Sequence, residues 1–184
     1  MKELSLHILD IVQNSIRANA AKIELIIEEL PLENKLNICI RDNGCGMSEA
    51  LLKRVRDPFT TTRTTRKAGL GIPLLEAAAV QCGGGMEIES VEGEGTTVRV
   101  WFEYFHIDRA PLGNMAETVV TIVSGAPEIT FVYRHAYQGK SFLFDTAEIR
   151  SVLGDVPCDA PEVLAWIRDY VQEGLAELID QPLA

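Results

Sequence analysis

Leu36-Asn37-Ile38-Cys39-Ile40-Arg41-Asp42-Asn43-Gly44-Cys45-Gly46-Met47 is the stretch that decides the fold. Leu36, Ile38 and Ile40 alternate with polar residues, the period of a strand with one buried face. The strand runs straight into an acidic residue and two glycines. A residue at such a strand end can aim its carboxylate into a pocket, while Gly44 and Gly46 permit positive φ and leave no Cβ in the way of a flat ligand. Asp-Asn-Gly by itself is also a common turn sequence, so the flanking segments have to decide its meaning.

Upstream, residues 3–18 carry Leu4, Ile8, Ile11, Val12 and Ile16 at helical spacing. Asp10 and Asn14 lie four apart on that helix, share one face and can address a single ligand. Downstream, Gly69-Leu70-Gly71 opens a second helix, with Pro73 tolerated in its first turn and Leu74, Leu75, Ala78 and Ala79 behind it. Exposed amides at a helix start attract phosphate. Thr96-Thr-Val-Arg-Val-Trp-Phe-Glu103 reads as a further strand.

In this order the motifs resemble those of the GHKL, or Bergerat-fold, ATPases of the gyrase, heat-shock chaperone, histidine kinase and mismatch-repair type. The resemblance covers residues 1–105. Asp10 to Ala20 is similar to the family's Asn box, Asp42 to Met47 to its Asp-x-Gly-x-Gly box, Pro58-Phe59 to its Phe box, Gly69-Leu70-Gly71-Ile72 to its Gly-x-Gly box, and Gly93-Glu94-Gly95-Thr96-Thr97 to its late Gly-Thr box. The fold implied is an α/β two-layer sandwich: a mixed or antiparallel sheet covered by helices on one face, with a small C-terminal α+β module added.

The resemblance implies ATP and Mg²⁺ as ligands. Asp42 then accepts from the exocyclic amine of adenine; guanine's oxo group would face the carboxylate as a second acceptor, a mismatch of roughly 1–3 kcal/mol or more. Asn14 carries over as the Mg²⁺ ligand, a neutral oxygen donor suited to a hard ion that keeps several waters. Gly44, Gly46, Met47, Phe59, Gly69, Leu70, Gly71 and Thr96 line the nucleotide site. Asp10 stands where relatives that activate water or a hydroxyl place a glutamate and sensor histidine kinases place an amide, so it is the candidate general base, one methylene short. Arg17 and Asn19 depart from the Asp-x-Gly of the mismatch-repair and gyrase relatives.

Between the glycine boxes, Lys53, Arg54, Arg56, Arg63, Arg66 and Lys67 face one acid, Asp57. This polar, cationic run without hydrophobic period reads as a lid whose Arg63, Arg66 and Lys67 suit a triphosphate. No Gly-x-x-x-x-Gly-Lys-Ser/Thr loop and no Gly-x-Gly-x-x-Gly fingerprint occurs in the chain. His7, His106 and His135 lack the context of a phosphoacceptor histidine.

The 184 residues are 47% hydrophobic with a formal charge of −10. Such a balance supports a packed core and disfavours a nucleic acid partner. No apolar run reaches membrane-spanning length, and Met1-Lys2-Glu3-Leu4 lacks a signal peptide's apolar stretch. Cys39, Cys45, Cys82 and Cys158 have no metal-like spacing and read as reduced thiols. A cytoplasmic location is the expectation.

Charge shifts at the end of the resemblance: residues 106–184 hold 12 Asp and Glu against five Lys and Arg. Two modules are expected, 1–105 for ATP and 106–184 without an assignable role, joined by a linker at Arg109 to Asn114. In the second, Thr118–Val123, Ile129–Tyr133 and Ser141–Phe144 read as short strands, followed by helices from Thr146 to Leu153 and from Pro161 to Ile179. Two functions fit: an ATP-dependent phosphotransferase or ATPase acting on a partner protein, and a nucleotide-gated binding module with little turnover.

Overall fold

A computed structural model describes residues 2–55 and 71–180. The first helix, α1 (Leu4–Arg17), leads into an antiparallel pair, β1 (Lys22–Leu30) and β2 (Lys35–Asp42), and a short helix α2 (Glu49–Val55). Then come α3 (Gly71–Gln81), the hairpin β3 (Gly85–Val91) and β4 (Gly95–Glu103), α4 (Met115–Gly125), the hairpin β5 (Thr130–Tyr137) and β6 (Lys140–Asp145), α5 (Thr146–Leu153) and α6 (Pro161–Asp180). Six strands form one mixed sheet in the order β3-β4-β2-β1-β5-β6. Among the described residues no helix is long and apolar enough to cross a membrane.

The sheet is covered on one face because the strands bury apolar side chains mainly on one side. Ile23, Leu25 and Ile27 of β1, Leu36, Ile38 and Ile40 of β2, Val98, Val100 and Phe102 of β4, and Phe131 and Tyr133 of β5 are all buried. Burial of this kind contributes roughly 25 cal/mol per Å² of apolar surface. The layer above them comes from Leu4, Ile8, Ile11 and Val12 of α1, Leu75 and Ala79 of α3, Val119, Val120, Ile122 and Val123 of α4, and Ile167 and Val171 of α6. The opposite sides of the strands carry Glu24, Asn37, Cys39, Arg41 and Arg99, none of them buried.

Thr118–Val123, expected as a strand, is the middle of helix α4. Its β-branched residues favour a strand locally, but Asn114 Oδ1 accepts from the Glu117 backbone N–H, an N-cap that starts the helix. Tertiary burial of Val119, Val120, Ile122 and Val123 on one side then holds it. The linker before it is also ordered by contact. Leu4 N–H donates to Pro111 O and Ser5 N–H to Leu112 O, which satisfies two of the free donors at the start of α1.

The sheet continues across residue 105. β5 pairs in parallel with β1 from Lys22↔Thr130 to Glu29↔Tyr137. A part-buried polar cluster ties this seam together: His135 Nε2 lies 2.7 Å from Glu29 Oε1, His135 Nδ1 lies 2.6 Å from the Tyr133 hydroxyl, and Tyr104 O–H donates to Glu29 Oε2 at 2.8 Å. Burial alone would raise the Glu29 carboxyl, but hydrogen bonds from His135 and Tyr104, with the charge of Arg109, hold it below its ordinary 4.5. Burial and the Glu29 contact push Tyr104 up to about 12.

A carboxyl depressed in the folded state stabilises the protein above its unfolded pKa, and that contribution fades as the pH falls through the lower folded value. Urea unfolding between about pH 5 and about pH 3 is therefore expected to give a steeper loss of stability for the parent chain than for Glu29→Gln. Parallel slopes would show that the cluster does not hold the seam.

Candidate functional site

The site begins with backbone register. β2 pairs with both β1 and β4, setting Asp42 opposite Ile23 on one side and Thr96 on the other. The late Gly-Thr box thus lies beside the Asp box although 45 residues, 48–92, separate them. Gly95, with φ +130, has no room for a side chain, because a Cβ would come within 2.0 Å of Asp42 O. Here glycine lets β4 close onto the turn.

The turn itself is held from four directions. Gly44 N–H donates to Asp42 Oδ1 at 2.9 Å, and the Ser15 hydroxyl on α1 donates to Asp42 Oδ2 at 2.6 Å. Asn43 turns outward, its Oδ1 accepting from the backbone N–H groups of Ala21 and Lys22. Cys45 N–H reaches Ala18 O, joining the turn to the end of α1. Met47 N–H donates to Ser90 Oγ at 2.8 Å, and that hydroxyl also lies 2.8 Å from Thr96 Oγ1. Both oxygens of Asp42 therefore have fixed partners, so the carboxylate is oriented before any ligand arrives.

A cavity of about 180 Å³ opens beside it on the helix-covered side of the sheet. Its floor is apolar, from Ile11, Ile40, Ile72 and Val98, and its polar groups are Asn14, Ser15, Asp42 and Thr96; Gly46 and Met47 complete the wall. Apolar walls with a few fixed polar groups are the usual make-up of a small-molecule site. A shallower depression of about 390 Å³ lies on the uncovered face at the same sheet end, lined by Lys22, Glu24, Arg41, Glu89 and Thr97 among others. Asp42 and Thr96 border both.

Of the residues singled out in the sequence, Asn14, Asp42, Gly46, Met47 and Thr96 meet around the covered cavity. Gly44 is buried under Ala18, with no room for a Cβ. Gly46, φ +65, is required by the fold: a Cβ there would come within 2.0 Å of Val91 O. Asp10 is exposed and does not line the cavity; it faces Gly71, where an added Cβ would sit 3.6 Å from its Oδ2. Phe59, Arg63, Arg66, Lys67, Gly69 and Leu70 lie outside the described residues. His7 is a packed residue, buried at 4% exposure, and burial pushes its imidazole pKa down.

Ser15, Ser90 and Asn43 do structural work at the site that sequence reading gave no role. Ser15 alone had a visible signal, as the inward neighbour of Asn14 on an amphipathic helix.

Residues 2–105 match the model of the "Histidine kinase-, DNA gyrase B-, and HSP90-like ATPase" family. The match spans more than half of the chain, which belongs to that family and contains a histidine-kinase-like ATP-binding domain. Relatives include a putative sensor protein of Shewanella frigidimarina, 35% identical over 97 residues, covering 52% of this chain and 15% of that protein. The signal transduction histidine-protein kinase AtoS of Escherichia coli is 32% identical over 91 residues, 49% of this chain and 15% of its own length. The chain thus matches only about a seventh of these longer proteins. Among solved structures, the N-terminal domain of a DNA repair protein superposes with a TM-score of 0.57 at 20% identity, over 84% of this chain and 58% of that one. At that identity the likeness is one of fold.

Gly46→Ala puts a Cβ both at positive φ and against Val91 O, whereas Gly93, φ +83, has open space around it. Positive-φ strain, about 1–3 kcal/mol, is common to both positions, so the clash with Val91 O makes the difference. Chemical denaturation is expected to show Gly46→Ala clearly less stable than Gly93→Ala; equal stabilities would contradict the close packing of the Asp-box turn on β3.

Proposed function

We propose that the chain binds Mg-ATP in the covered cavity and transfers the γ-phosphoryl group to a side chain of a partner protein. The observation that carries this reading is the convergence of Asn14, Asp42 and Thr96, from three elements, on one apolar-floored cleft whose carboxylate is already oriented. A flat base fits between Ile40, Val98 and Met47, with its exocyclic amine donating to Asp42. Ser15 acts as a positioning residue that fixes which lone pairs Asp42 offers.

The donor set also fits a magnesium ion. Among the described residues no group of three or more His, Cys, Asp and Glu is placed to hold a metal, so a cation here depends on the Asn14 oxygen, phosphate oxygens and water, a combination that suits Mg²⁺. Bound Mg²⁺ would neutralise phosphate charge. Arg63, Arg66 and Lys67 are proposed to add cationic contacts, and the amides at Gly69, Leu70 and Gly71 to receive the phosphates. Phe59 is proposed to contact the nucleotide. Asp10, one turn before Asn14, is the group available to take the acceptor's proton.

One observation favours a second reading, a nucleotide-gated binding module with slow or no turnover. Asp10 lies outside the cavity and is shorter than the glutamate that base catalysis commonly uses. In that case ATP shifts the population of a partner-binding state rather than supplying phosphate.

Titration calorimetry distinguishes the parts. Asp42→Asn presents an amide N–H or a weaker acceptor to adenine, and Mg-ATP affinity is expected to fall roughly tenfold to a hundredfold; unchanged affinity would remove adenine from this cavity. Asn14→Ala is expected to abolish the Mg²⁺ dependence of ATP binding. For chemistry, Asp10→Asn should lower phosphate transfer or release about a hundredfold or more with ATP affinity kept. If turnover is slow and the same in both proteins, the gating reading replaces transfer.

A further inference from the structure

At the far edge of the sheet from β3, an apolar groove of about 450 Å³ runs between α5 and α6 beside the edge strand β6. Its walls are Leu143 and Phe144 of β6, Ile149, Val152 and Leu153 of α5, and Trp166 and Tyr170 of α6. These side chains are not finished core. Val152 is 86% exposed, Leu143 and Trp166 are each 50% exposed, and Tyr170 is 41% exposed. Trp166 and Tyr170 stack with centroids 5.0 Å apart and planes 13° from parallel, a rigid aromatic wall. Contiguous apolar surface of this kind marks an interaction site rather than scattered surface residues, and aromatic residues of low conformational entropy dominate binding hot spots.

The two charged residues that line the groove are both acidic, and the exposed Arg134 lies opposite Leu143 on the neighbouring strand β5. Asp145 and Glu148 lie in the groove wall, and Glu162, Asp169 and Glu173 are exposed on α6, at helical spacing from Trp166 and Tyr170. Two arginines that could balance them are directed elsewhere. Arg150 donates to Ile129 O and Thr146 Oγ1, and Arg168 is engaged with Glu117 at 2.5 Å. Residues 106–184 as a whole carry −7 from charged side chains.

From this pairing of an apolar cleft with an acidic rim we infer that the groove is the docking site for a cationic amphipathic segment of a partner protein, which inserts one or two large apolar side chains between Val152 and Trp166 and sets Lys or Arg against Asp145 and Glu148. A second copy of this chain would bring the same acidic rim against itself, and an anionic lipid surface would be repelled likewise. The inference is independent of ATP: the groove shares no lining residue with the nucleotide cavity.

The test uses the full chain in Trp101→Phe background, leaving Trp166 as the reporter since the protein has two tryptophans. It is titrated with a synthetic Leu/Lys amphipathic peptide of about 14 residues, roughly four helical turns, and with a Leu/Glu peptide of the same pattern. The expected result is a saturable change in Trp166 emission with the Leu/Lys peptide and none with the Leu/Glu peptide. Calorimetry on the parent chain, Val152→Ser, Trp166→Ala and Glu148→Gln is expected to show affinity for the Leu/Lys peptide lowered about tenfold by each of the first two and several-fold by the third. Val152 is too exposed for its loss to unfold the protein, so a null result there is informative. Unchanged affinity in Val152→Ser and Trp166→Ala would reduce the binding to general charge attraction and overturn the inference. So would equal binding of both peptides, or sedimentation showing that the parent chain self-associates while Val152→Ser is monomeric.

Discussion

Helix α1 has to serve two surfaces at once, and that constraint organises the molecule. Its apolar stripe, Leu4, Ile8, Ile11 and Val12, is buried on the sheet, and one turn further on Ser15 donates from the same helix to the carboxylate at the end of β2. Rotating α1 to repack its stripe would withdraw both the hydroxyl that orients Asp42 and the Asn14 side chain that lines the cavity. Packing and site geometry are therefore one free-energy term rather than two. The same holds at the sheet: the register that pairs Ile38 with Val100 in the core is the register that pairs Asp42 with Thr96 at the rim.

Much of this was legible in the chain because it depends on local rules. Alternation from Leu36 to Ile40 marks β2, helical spacing from Leu4 to Ile16 marks α1, and the two C-terminal helices have clear periods, with α5 observed at Thr146–Leu153 and α6 at Pro161–Asp180. Motif order and the family resemblance pointed to Asn14, Asp42, Gly46, Met47 and Thr96, which the structure brings around one cavity. The strand expected at Thr118–Val123 failed where two local signals conflicted. Six residues rich in β-branching argued for a strand, and the cap formed by Asn114 with Glu117, together with one-sided burial, made a helix.

Long-range pairing was not legible. Nothing in Thr130–Tyr137 states that it will lie parallel to β1 and carry the sheet past residue 105, since the pairing follows the α4 crossover and is bridged by the part-buried Glu29, His135 and Tyr104 cluster. Nor does a serine announce its partner. Ser15 and Ser90 hold the Asp-box turn through hydroxyls whose targets are 27 and 43 residues away. Gly46 shows the opposite case: a glycine was expected there for ligand approach, and the structure shows positive φ and close approach to Val91 O as its cause.

The orientation of Asp42 links the fold to the proposed nucleotide recognition, and its neighbourhood offers two places for a ligand, one under α1 and one on the bare face of the sheet. A crystal structure of the chain with a non-hydrolysable ATP analogue distinguishes them directly. The expected result is adenine in the covered cavity, its exocyclic amine on Asp42 and the Ser15 to Asp42 hydrogen bond retained. Adenine seated instead over Lys22, Glu24 and Arg41 on the uncovered face would contradict it.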